Sequence, residues 1–170
     1  SLGRTLQRVR KVVDMEDPHE LGKYLGCYHR LAEHKCPRTG AVVTECEWDM
    51  SAYNNDAVSR YEKEAFRDGA SFHAANTPFT PKQDAATFES LLNQERRMSQ
   101  RERASHLMKL LYGSRTAWPP SAVAISRLAS MITRWNAECD RRFERLMAFM
   151  SGYGDLVVSG SLSSADVDTA

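Results

Sequence analysis

The sequence has no apolar run near the ~20 residues that would span a bilayer and no visible internal repeat, and it is expected to carry no signal peptide. It also lacks a charge imbalance: 23 Lys and Arg face 22 Asp and Glu, for a formal net charge of +1. Bulk charge therefore says nothing about partners, and only its distribution can. Four cysteines (Cys27, Cys36, Cys46, Cys139), with no signal peptide expected before them, read as free thiols of a reducing compartment. Intracellular residence, cytoplasmic or nuclear, is the expectation. The first residue is Ser1 rather than Met, so a fragment of something longer is expected.

What is present is ordinary for a globular domain: 42% hydrophobic and 26% charged residues. At 170 residues the chain can bury a core without metal or disulfides. Leu2 to Met15 reads as a helix, with Leu6, Val9 and Val13 on one face and Arg4, Arg8 and Lys11 elsewhere. Asp17-Pro18 ends it. Asp14, Glu16 and Asp17 read as its solvated terminus rather than as metal ligands. Two extended segments, Leu21–Leu31 and Ala41–Trp48, flank the turn-rich stretch 34–40 and predict an antiparallel hairpin. Ser51 is expected to cap a helix to about Arg67, closed by Gly69, with Tyr53, Ala57, Tyr61 and Ala65 in one stripe. Residues 70–82 read as a loop, and Asp84 as the cap of a helix facing Phe88, Leu91 and Leu92 inward. The polar stretch 93–103 reads as a solvated helix or a mobile connection.

Three helices follow. The first places Ala104, Leu107, Met108 and Leu111 on one face and is expected to stop at Gly113. The second opens at Pro119-Pro120 and carries Ile125, Leu128, Ile132 and Trp135. The third is capped by Asn136, with Glu138 and Asp140 in its first turn, Cys139, Phe143, Leu146 and Met150 as its stripe, and Gly152 at its end. The tail from Ser159 is small and polar and is expected to be disordered. The predicted class is α+β, mostly helical: an N-terminal helix and β-hairpin, then a bundle of four to five short helices.

Four blocks carry a family resemblance. LGKYLGCYHRL (21–31) resembles a strand motif of the type LGxxxYFLG. NTPFTPK (76–82) resembles a connection built around Thr-Pro. LMKLLYGSRTAWPPSAVAISRLASMI (107–132) resembles a block of the type GSLLYLAxxTRPDIAFAVSxLSRF, with Trp118-Pro119-Pro120 standing where that pattern has Arg-Pro-Asp. WNAECDRRFERLMAFM (135–150) resembles an HWxALKRILRYL helix, Arg145 falling at its second basic residue and Phe149 near its tyrosine. Together, over residues 13 to 150, the chain resembles the C-terminal part of the reverse transcriptase of copia-type LTR retrotransposon polyproteins.

The resemblance implies the end of a palm over 1–50, a helical thumb and connection over 51–153, and a disordered tail over 154–170 leading toward a ribonuclease H domain. It implies partners: an RNA/DNA template–primer duplex and the remainder of the polyprotein, with no membrane. The parent's chemistry needs paired carboxylates holding two Mg²⁺ ions, and this sequence has no Asp-Asp pair. No catalytic residue is therefore expected here, nor at Asp155, Asp166 or Asp168, and no cofactor in this chain. Gripping a duplex needs cations near phosphates. The candidates are Arg96, Arg97, Arg101, Arg103, Lys109, Arg115, Arg127, Arg134, Arg141, Arg142 and Arg145. Their bland reading is a solvated surface with pairs such as Glu138–Arg142. Arg127 and Arg134, seven apart, are expected on one face.

Two other readings stand beside this one. Cys27, His29, His34 and Cys36 offer zinc-ligand chemistry if a hairpin gathers them, although one-residue gaps are poor for structural zinc. The chain could also be a small helical protein-interaction module without a nucleic-acid role. Trp48, Trp118 and Trp135 are expected to be packing residues rather than platforms for bases.

Overall fold

The computed structural model describes residues 2–14, 21–66, 72–73, 75–79 and 98–163. In chain order the elements are α1 (Leu2–Arg10), β1 (Lys23–Tyr24), β2 (Cys27–Lys35), β3 (Val42–Asp49), α2 (Ser51–Ala65), α3 (Gln100–Thr116), a 3₁₀ turn at Pro119–Ser121, α4 (Ala122–Ser130), a second 3₁₀ turn at Ile132–Arg134, α5 (Ala137–Tyr153) and β4 (Val158–Ser163). The class is α+β and mostly helical, as the sequence predicts. Gly69 and the Asp84 helix lie outside the described residues. No helix among the described residues is long and apolar enough to cross a membrane.

The predicted hairpin forms, with β2 and β3 pairing antiparallel from Tyr28↔Asp49 to Lys35↔Val42. Its turn is closed by Gly40 N–H donating to Cys36 O at 2.8 Å, with Gly40 at φ +71°. His34 and Lys35, assigned to the turn by sequence, belong to the strand. The segment 21–31 is not one strand. It turns back at Leu25-Gly26, both at positive φ (48° and 86°), which makes a two-residue hairpin loop. Glycine is required twice over at 26, because a Cβ there would lie 3.0 Å from the Tyr53 ring. The Tyr112 hydroxyl donates to Leu25 O at 2.8 Å and pins the loop to α3.

The tail departs from expectation. Val158–Ser163 is a strand, paired antiparallel with β3 from Trp48↔Val158 to Val43↔Ser163. Its small uncharged residues let it lie flat, and β3 offers an open edge that satisfies its backbone groups. The sheet order is β1-β2-β3-β4.

Local chemistry explains the helix starts. Asp49 Oδ1 accepts from both the Ser51 N–H (2.8 Å) and the Ser51 hydroxyl (2.5 Å), so Asp49, not Ser51, holds the start of α2. Ser99 and Glu102 form a capping box on α3. Asn136 Oδ1 accepts from Cys139 N–H at 3.0 Å, as predicted. Gly113 does not stop α3, which runs on to Thr116. Its missing side chain serves close packing instead: a Cβ would meet Asn54 Oδ1 at 3.2 Å and the Tyr53 ring at 3.6 Å. The helix expected through Trp135 breaks at Met131, and Trp135 adopts extended backbone just before the Asn136 cap.

The core lies among α2, α3, α4 and α5. Ala57, Val58 and Tyr61 meet Leu107, Leu110, Trp118, Ile125, Leu128 and Trp135, and the expected stripe Cys139, Phe143, Leu146 and Met150 is buried among them. Tyr61 and Phe143 pack edge to face at 4.9 Å. Each such side chain contributes about 1.5–3 kcal/mol on leaving water. A smaller cluster of Cys27, Met50 and Ala117, flanked by Trp48, Tyr53 and Tyr112, joins the root of the sheet to the helices. Asn54 Nδ2 donates to Gly154 O at 3.3 Å and fixes the end of α5 against α2.

Candidate nucleic-acid interface

The cations singled out by sequence fall into three groups. Arg96 and Arg97 lie outside the described residues. A second group is committed to the protein. Arg103 belongs to the buried stripe of α3 with His106, Leu107 and Leu110. It is 1% exposed, its Nη1 donates to Met98 O, and its guanidinium lies 5.1 Å from the Trp135 ring. A side chain so placed cannot reach a phosphate, which corrects its assignment to the interface. Lys109 donates to Asp56 and lies over the Tyr53 ring at 5.1 Å. The Lys109 ammonium holds the Asp56 carboxyl below the usual carboxylate range.

Arg141 and Arg142 converge on Glu138, at 3.6 and 2.9 Å. The predicted Glu138–Arg142 pair is therefore formed, and Glu138 itself is 1% exposed. A buried carboxylate needs this neutralisation, since one left alone would carry a large desolvation cost. Arg145 Nε donates to Phe79 O at 2.6 Å, and Arg127 lies 5.9 Å from the Phe79 ring. These two arginines hold Phe79 against α4 and α5. That use was invisible to sequence reading, because Phe79 is remote from both in the chain.

The third group remains at the surface. Arg101, Arg115 and Arg134 are exposed and make no ion pair among the described residues. Arg101 and Arg115 sit about 21 Å apart along α3, on nearly the same side. Arg134 lies beyond the break at Met131, so it does not extend the face of Arg127 as a continuous helix would.

The other buried polar groups are structural. His106 Nε2 meets Glu64 Oε2 at 2.8 Å, and Arg60 Nε donates to Glu64 Oε1 at 2.9 Å. Arg60 foremost, with His106, keeps the Glu64 carboxyl below its ordinary range against the opposing effect of burial. Trp135 Nε1 donates to Asp140 Oδ1 at 2.6 Å. Trp118 and Trp135 are both 1% exposed, so they are core residues, and Trp48 packs beside Gly160 on the sheet.

The zinc constellation is not assembled. Cys27 and Cys36 sit at opposite ends of the nine-residue β2, roughly 30 Å apart at strand rise. Cys27 is buried, and desolvation, aided by the Asp49 charge, pushes its thiol up. Cys36 lies in the turn, where the Thr39 hydroxyl and nearby backbone amides pull its thiol down. His29 Nδ1 contacts Gly22 O at 3.2 Å, while His34 faces Glu45 at 3.5 Å on the opposite face of the strand. No group of three or more His, Cys, Asp or Glu suited to a metal forms among the described residues.

Comparison of the chain with family models, with curated proteins and with solved structures finds no match.

Proposed function

We propose that the chain is the thumb-and-connection side of a copia-type reverse transcriptase, an intracellular piece that grips a template–primer duplex. The observation that carries this reading is the trio Arg101, Arg115 and Arg134: solvent-facing cations with no carboxylate partner among the described residues, while Arg103, Lys109, Arg141, Arg142 and Arg145 are engaged within the protein. Such cations contact phosphates without reading sequence. The sequence offers no Asp-Asp pair for two Mg²⁺ ions, so nucleotide addition is assigned to another part of the parent polyprotein and no chemical step to this chain. Alone it is inert and binds nucleic acid weakly.

Titrating the chain against an RNA/DNA hybrid duplex tests this. The three phosphate contacts of this trio alone predict affinity falling at least about 40-fold between about 50 and 200 mM salt. Absence of binding at low salt would overturn the reading. It would favour a protein-interaction module instead, for which one observation speaks. Leu31, Val42 and Leu162 share one face of the sheet and are 59%, 55% and 60% exposed. In the first reading the same face is where the rest of the polyprotein would lie.

A further inference from the structure

A further group of exposed cations among the described residues lies away from the helices that sequence singled out, on α1. Residues 2–13 hold Arg4, Arg8, Arg10 and Lys11 and no acidic residue. Arg4, Arg8 and Lys11 are exposed and make no ion pair among the described residues. The helical pattern continues past Arg10, since Val13 N–H donates to Val9 O at 2.9 Å. The three cations therefore follow an i, i+4, i+7 spacing on one side, within about 60° of one another and spanning about 10 Å. An open surface hollow there is lined, among the described residues, by Arg4, Gln7, Arg8, Arg10 and Lys11. α1 makes at most marginal contact with the other described elements, so Arg4, Arg8 and Lys11 are not held by those elements.

We propose that Arg4, Arg8 and Lys11 form the stronger phosphate-contact face of this chain, receiving the sugar–phosphate backbone of a nucleic-acid duplex. The inference rests on the nucleic-acid reading above and relocates its principal contact. B-DNA carries about one charge per 1.7 Å of axis, so a cation row of about 10 Å faces several phosphates at once.

The same helix exposes Val9, Val12 and Val13, which raises a lipid surface as the competing occupant. At about 100° per residue, Arg4 and Lys11 lie about 140–180° from Val9 and Val13, while Arg8 lies about 100° from Val9 and about 40° from Val12, so the cation row borders the exposed valines. What favours the duplex is that the three cations run as one row along the helix axis with no apolar residue between them, as a line of phosphates requires.

The test is fluorescence anisotropy of a labelled RNA/DNA hybrid duplex with the 170-residue chain and two triple variants. One is Arg4→Gln/Arg8→Gln/Lys11→Gln, and the other is Arg101→Gln/Arg115→Gln/Arg134→Gln. The α1 triple is expected to weaken binding by at least about tenfold at low salt and to flatten the log–log salt slope by about 2.7, with an unchanged melting temperature. The second triple is expected to lose less. If the α1 triple binds like the unaltered chain, or if both triples lose equally, this inference falls while the nucleic-acid reading survives. If the unaltered chain does not bind duplex, both fall. Retention on phosphatidylserine vesicles that exceeds duplex binding and is lost in the α1 triple would overturn the inference in favour of lipid.

Discussion

The helices from Gln100 to Tyr153 and the sheet they support bury themselves to very different degrees. In the helices Leu107, Ile125, Leu146 and Met147 are wholly inaccessible. In β2, β3 and β4 nearly every side chain keeps contact with solvent, and Cys27 and Val43 are the buried exceptions. The helices thus supply the stability, and the sheet borrows it through Met50, Ala117, Tyr53 and Tyr112 at its root. A sheet so uncovered is either a surface awaiting another part or a strut whose only role is to hold its ends together. Interior and surface are also where the cations divide: those near the core were drawn into packing, and Arg4, Arg8 and Lys11 on α1 were not.

The sharpest break of this comparison is core truncation. Phe143→Ala is expected to cost about 3–5 kcal/mol in urea unfolding, because Tyr61, His106 and Trp135 all pack on that ring. Leu31→Ala on the sheet should stay within about 0.5 kcal/mol. Comparable losses at the two sites would erase the distinction drawn above. Next in size is the joint between the regions. A Cβ at Gly154 would sit 2.7 Å from the Met150 carbonyl oxygen, backbone that cannot step aside. Gly154→Ala should cost about 1–3 kcal/mol. Asn136→Ala removes the cap of α5 and should cost about 1–2 kcal/mol, read from the same unfolding curves.

The smallest expected effect is a pH dependence at the sheet's root. Ser51, through its hydroxyl and its amide, and then Arg30 hold the Asp49 carboxyl below its ordinary range, with burial opposing. The folded state therefore favours the charged form. The stability it confers is complete above about pH 4, the ordinary carboxylate value, and is lost as pH falls through the lower folded value. Thermal melts from neutral pH down to about pH 2.5 should show this acid limb, and Asp49→Asn should flatten it. An unchanged limb would mean that this cap contributes little.

These contrasts also mark what was legible in the sequence. Periodicity exposed the stripe Cys139, Phe143, Leu146 and Met150, and alternation exposed the two arms of the hairpin, because both patterns need only near neighbours. The Asn136 cap was legible for the same reason. Gly113 was misread as a stop because its reason for being glycine, the Tyr53–Asn54 wall, lies almost sixty residues away. β4 was missed because a run of serine, glycine and leucine becomes a strand only when an edge is offered to it. The break at Met131 was hidden by apolar spacing that continues through it. Among the site candidates, Arg103 was misread because the inward face of α3 was placed at Ala104, Leu107, Met108 and Leu111, whereas the buried stripe runs through Arg103, His106, Leu107 and Leu110 and leaves Met108 54% exposed. Lys109 and Arg145 found partners at Asp56 and Phe79, which no local pattern links to them. The charged row on α1 was visible as spacing but was passed over as mere organisation.

The pairing of β3 with β4 has a kinetic consequence. Its residues are 110 to 120 positions apart along the chain, so aligning them requires a very large loop to close. Contacts among α3, α4 and α5 join nearer stretches and can settle quickly. On refolding, hydrogen-exchange protection should therefore arise first in α3 to α5, while the amides of Val158 to Ser163 become protected last.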